Sequence, residues 1–139
     1  MKFFVESSEN DLITLRIPGT NYRNTFKFAG AGGLAPGAKV FGAIHVPARK
    51  AEAISDGGNY VEPLFGRPQR MQGLVLTRDP QKNELVVQVG YEVTMQLPAD
   101  QNVSEFPVGS RIGWDNADWP MFETETPASA GGNAGVAQW

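Results

Sequence analysis

The chain has no cysteine and a single histidine, and nowhere in its 139 residues does an apolar run approach the roughly 20 residues of a membrane-spanning helix. Without cysteine there is no disulfide scaffold, no thiolate zinc site and no cysteine nucleophile; with His45 alone, no site can use two imidazoles. Basic charge is also scarce, with 12 Lys and Arg against 15 Asp and Glu and a pI near 5.1. Nucleic-acid modules show the opposite balance, because phosphate neutralisation supplies most of their affinity, so a nucleic-acid partner is not expected. The opening Met1-Lys2-Phe3-Phe4-Val5 reaches Glu6 too soon for a secretory apolar region. A cytoplasmic protein without a membrane partner is the expectation.

What is abundant is punctuation. Sixteen Gly and ten Pro exceed the roughly 12% of an average protein and are spread along the chain, which implies short strands and many turns. From Leu85 to Leu97 every odd position is apolar, while Gln88, Gly90, Glu92, Thr94 and Gln96 occupy even ones. Period two predicts a strand with one face in a core, bent at Gly90. Arg70–Thr77 precedes it across Asp79-Pro80 and Asn83, a hairpin turn. Upstream, Leu12–Ile17 alternates before the Pro18-Gly19 turn, and Tyr22, Phe26 and Phe28 alternate after it. Lys39–Val46 reads as a buried strand ended by Pro47, and Ala48–Ile54 has helix-forming composition over only about two turns. The fold class expected is all-β: one domain over residues 1–125, with a small barrel at about 38–125, added strands within 1–29, and a disordered tail at 126–139.

The run Gly73-Leu74-Val75-Leu76, Asp79-Pro80, Asn83, Leu85-Val86-Val87, then Phe106, Val108-Gly109 and Ile112 resembles the hairpin and closing turn of small OB-like or SH3-like barrels. Gly57-Gly58-Asn59-Tyr60-Val61-Glu62-Pro63-Leu64-Phe65-Gly66-Arg67-Pro68 is similar to a stretch of a small uncharacterised bacterial family. That resemblance implies a fold and no activity. OB-like barrels bind oligonucleotides or oligosaccharides across a strand face with stacking aromatics and bases. Here Gln88, Glu92, Thr94 and Gln96 offer neither.

Gly30-Ala31-Gly32-Gly33-Leu34-Ala35 matches a dinucleotide fingerprint in form, but Pro36-Gly37 follows where a helix must start, so no cofactor is expected. His45, between Ile44 and Val46, points away from their face. Asp115 and Asp118, flanked by Trp114 and Trp119, form the sharpest local cluster, of a kind that a sugar subsite or an ion could use. Asn116 alone does not complete a calcium loop, and no metal is expected.

Charge is split along the chain. Residues 1–83 carry 11 bases and 7 acids, whereas residues 84–139 carry only Arg111 and 8 acids. Complementary faces of that kind suit self-association or another protein partner. The function expected is therefore a non-catalytic binding or assembly module, with Tyr22, Phe65, Trp114, Asp115, Asp118 and Trp119 as binding candidates. Alternatives are an oligosaccharide- or single-strand-binding barrel, a virion or shell component, and a carboxylate or metal enzyme built on Asp115, Asp118 and His45.

Overall fold

Alternation of inward apolar and outward polar side chains turns most of the chain into extended structure. In the computed structural model, which describes residues 1–29 and 34–125, eleven strands form one mixed sheet. They are β1 (Lys2–Glu9), β2 (Leu12–Arg16), β3 (Arg23–Lys27), β4 (Lys39–Ile54), β5 (Tyr60–Glu62), β6 (Phe65–Gly66), β7 (Arg70–Asp79), β8 (Glu84–Gln88), β9 (Glu92–Gln96), β10 (Arg111–Asn116) and β11 (Met121–Thr124). Among the described residues there is no α-helix, and hence none long and apolar enough to cross a membrane. The all-β expectation holds. The dinucleotide-like motif falls mostly on residues 30–33 and the expected disorder on 126–139, both outside the described residues.

Pairing runs β1-β2-β3-β11-β4-β10-β7-β8-β9, and β4 pairs in addition with β1 and β9. Two circuits of strand pairing therefore close, both through β4. This 16-residue strand meets β1 and then parallel β9 along one edge, and β11 and then β10 along the other. Inside, one apolar cluster joins Phe3, Ile13, Phe26, Ile44, Met71, Leu85, Tyr91, Met95, Ile112 and Trp114.

Two expectations change. Pro47 does not end its strand: β4 continues through it and through Ala48–Ile54, where about two turns of helix-forming composition are too short to carry a helix. Pro47 accepts a bond from the Ala117 N–H at 2.7 Å, on the edge where pairing passes from β11 to β10. Its missing N–H falls in the gap between those strands and costs no ladder bond. Past the bulge opposite Asn116, the side-chain amide of Gln101 takes the place of a strand: its Nε2 donates to Ala51 O and its Oε1 accepts from Ala51 N–H, both at 2.8 Å.

The second change concerns Leu85–Leu97, which is two strands. All seven odd positions are buried, but the chain reverses at Gly90, where φ is +124° and an added Cβ would lie 2.8 Å from the Tyr22 ring. Leu85 faces Met95 and Val87 faces Val93, a register mirrored about Gly90. Odd positions stay opposite odd positions across such a reversal, so the period continues unbroken through the turn. The β7–β8 hairpin forms as expected, with Asp79 Oδ1 accepting the N–H groups of Gln81 and Lys82 at 3.0 and 3.2 Å and Asn83 left-handed at φ 55°.

Candidate functional site

Strand parity divides the Trp114–Trp119 cluster. Trp114 points inward and is wholly buried, its Nε1–H donating to Asn116 Oδ1 at 2.8 Å, while the Asn116 amide donates to Pro68 O at 3.1 Å. It is a core residue with no open face. Asp115 points outward to Arg70, 3.3 Å away; hydrogen bonds to Tyr60 and to Asp115 raise the Arg70 pKa. Asp118 accepts the backbone N–H of Trp119 at 2.7 Å, and the Trp119 ring lies under the Arg67 guanidinium at 4.5 Å. Asp118, Trp119 and His45 line one cleft, and Asp115 is not part of it. Among the described residues, no three His, Cys, Asp or Glu side chains are grouped to hold a metal ion.

Phe65 belongs to a different surface, on a loop held by three consecutive residues, of which Tyr22 supports the loop and does not line that surface's cleft. Tyr22 is half-buried edge-on against Tyr91, and its hydroxyl accepts the Val61 N–H at 2.9 Å. The backbone N–H of Arg23 donates to Leu64 O at 3.1 Å. Asn24 is wholly buried; its amide reaches the carbonyls of Pro63, Leu64 and Gly66 at 3.1–3.3 Å, and its Oδ1 accepts the Tyr91 hydroxyl at 2.7 Å. Residues 61–66 are thereby fastened to β3, with β6 pairing alongside it. The side chains this loop displays are apolar: Leu64 is 43% and Phe65 59% exposed. Together with Phe4, Arg16, Arg23 and the Pro18-Gly19 turn they enclose a cleft of about 450 Å³. Arg23 lies over Phe65 at 5.9 Å and Arg16 over Phe4 at 5.4 Å, with Glu6 3.6–3.8 Å from both arginines.

The second surface crosses β9, β4 and β11, where Thr94, His45 and Met121 stand side by side. Met121 is 53% exposed and lies between two clefts of about 340 and 350 Å³ that share it and His45. Glu84, Asp118 and Trp119 border the first, and Glu123, 3.3 Å from His45 Nε2, borders the second. The outer face of β9 does have an aromatic beside it, supplied by the turn before β11.

Sequence reasoning passed over Asn24, Leu64, Phe4, Met121 and the two arginines. A signal existed for Asn24, which shares the parity of Tyr22, Phe26 and Phe28 and so falls on the buried face. For Leu64 there was none, since its display depends on contacts about 40 residues away in sequence, and Phe65, named for its aromatic ring alone, is displayed by the same contacts.

Burial, and then the neighbouring Tyr22, push the Tyr91 phenol well above its ordinary pKa. The native state therefore keeps a proton that the unfolded chain releases above about pH 10. Stability is full below that pH and falls above it by about 1.4 kcal/mol per pH unit from this group, until the native phenol ionises. Urea midpoints between about pH 9 and 11.5 check this, and Tyr91→Phe is expected to flatten the decline.

No family model, curated protein or solved structure matches this chain.

Proposed function

We propose that the chain is a non-catalytic binding and assembly module that self-associates through the Phe4–Phe65 cleft. The observation that carries this reading is a loop held by the buried Asn24 and displaying two adjacent apolar side chains to water. Fastening the loop during folding lowers the ordering cost that association must meet, which is how a rigid apolar anchor gains affinity. A second copy suits the cleft because the chain supplies its charge complement: residues 84–125 hold 8 acids and one base, while Arg16 and Arg23, which share the one carboxylate of Glu6, leave an excess of positive charge at the cleft. The two closed circuits through β4 support a barrel of the OB-like or SH3-like kind as the scaffold.

Removing the anchor tests this. Phe65→Ala is expected to raise the self-dissociation constant by about 30-fold or more, the scale of a central aromatic anchor. Val108→Ala, at an equally exposed position elsewhere, leaves it unchanged. Sedimentation equilibrium reads both, and identical association of wild type and Phe65→Ala would overturn the role of the cleft.

A further inference from the structure

We infer that the groove across β9, β4 and β11 is a binding site for a neutral oligosaccharide. At His45 the strand β4 is paired on both edges, with Thr94 on one and Met121 on the other, so no backbone is open there to receive an added peptide strand and recognition falls to side chains. The two clefts that share His45 and Met121, of about 340 and 350 Å³, are each lined by a half-buried aromatic ring, Trp119 in the first and Phe28 in the second. Both volumes fall within the roughly 300–1,000 Å³ of small-ligand sites. Two such clefts side by side suit a ligand made of successive rings.

A pyranose carries C–H groups on its faces and hydroxyls around its rim, so a site for it needs an aromatic surface with polar atoms beside it. Trp119 is braced for the first role: Arg67 lies over the ring at 4.5 Å, and Asp118 Oδ1 accepts its backbone N–H at 2.7 Å. Thr94, Glu84 and Gln96 line the same cleft. The Gln96 amide nitrogen donates to the carbonyls of Lys82, Asn83 and Leu97 at 2.9–3.3 Å, which leaves its Oε1 to accept from a ligand. Charge selects against other ligands. Glu84, Asp118 and Glu123 border the groove, while Lys27 stands in register with Met121 and Arg67 lies on Trp119. A nucleic-acid strand or an acidic sugar would bring anions against three carboxylates, whereas a neutral sugar donates its hydroxyls to them and meets no like charge. The groove shares no lining residue with the Phe4–Phe65 cleft, so this inference stands apart from the assembly reading.

Isothermal titration of the full chain with cellohexaose, maltohexaose, mannohexaose and chitohexaose tests the inference, and at least one of the four is expected to bind. Trp119→Ala is expected to weaken that binding by about 10-fold or more, the scale of losing a stacking aromatic. Asp118→Asn, which keeps an acceptor for the Trp119 N–H, is expected to weaken it by about 5-fold through the lost charge-assisted bond. Phe65→Ala is expected to bind as the wild type does, and unchanged circular dichroism confirms that each variant is folded. No heat from any of the four sugars, or equal binding by wild type, Trp119→Ala and Asp118→Asn, would overturn the site. Tighter binding of a heparin hexasaccharide or of oligothymidylate than of every neutral sugar would overturn its assignment to a neutral ligand.

Discussion

Asn24→Ala is expected to lower the free energy of unfolding by about 3–4 kcal/mol, measured by urea denaturation, because it strands several buried polar groups at once. The Tyr91 hydroxyl, on a wholly buried ring, loses its acceptor, and the carbonyls of Pro63, Leu64 and Gly66 lose a shared donor. Each unsatisfied buried group costs about 1–3 kcal/mol, and the partial exposure of the loop carbonyls keeps the total below the simple sum. Asn24→Asp is a sharper probe. It keeps the acceptor for Tyr91 but sets a carboxylate facing three carbonyl oxygens, and it is expected to destabilise at least as much as alanine. Either change also frees the loop that carries Leu64 and Phe65, so association should weaken even in the molecules that remain folded. Full stability of Asn24→Ala would mean that the network does not hold the loop.

Trp114→Ala is expected to cost about 4 kcal/mol, within the usual range for removing a large aromatic from a core. The indole is wholly buried in the core beneath β10, and its removal leaves a cavity and takes the donor from Asn116. Trp119→Ala, at a half-exposed position under Arg67, is expected to change stability by no more than about 1 kcal/mol. Equal losses for the two tryptophans would contradict this division into core and surface. Intrinsic fluorescence during the same titrations separates them, since Trp114 passes from a dry to a wet environment on unfolding and Trp119 starts partly wet.

The contrast between the tryptophans shows what sequence can disclose here. Both stand beside an aspartate in the same short stretch, and the cluster reads as a single feature. Alternation along β10 sends Trp114 and Asn116 inward and Asp115 outward, whereas Asp118 and Trp119 follow in the turn, where parity no longer applies. Parity was legible wherever a strand was legible: in Leu12–Ile17, in the sides taken by Ile44 and His45, and in all the odd positions of Leu85–Leu97. What it could not disclose is a reversal that preserves it, as at Gly90, or a proline tolerated where one edge passes between partners, as at Pro47. Both are decided by neighbours far along the chain. The two exposed clefts have the same character: Phe4 and Phe65 come to line one cleft, and Thr94 stands beside His45 and Met121, only once β4 has drawn the N-terminal and C-terminal strands to its two edges.

The most direct measurement is sedimentation velocity of the wild-type chain over a wide concentration range, at low and at high salt. The expected result is a weight-average mass that rises above that of one chain with concentration, and rises less in high salt because the association proposed above sets Arg16 and Arg23 against the acidic half of a second copy. A single species of one chain at every concentration and in both salts would contradict the assembly reading.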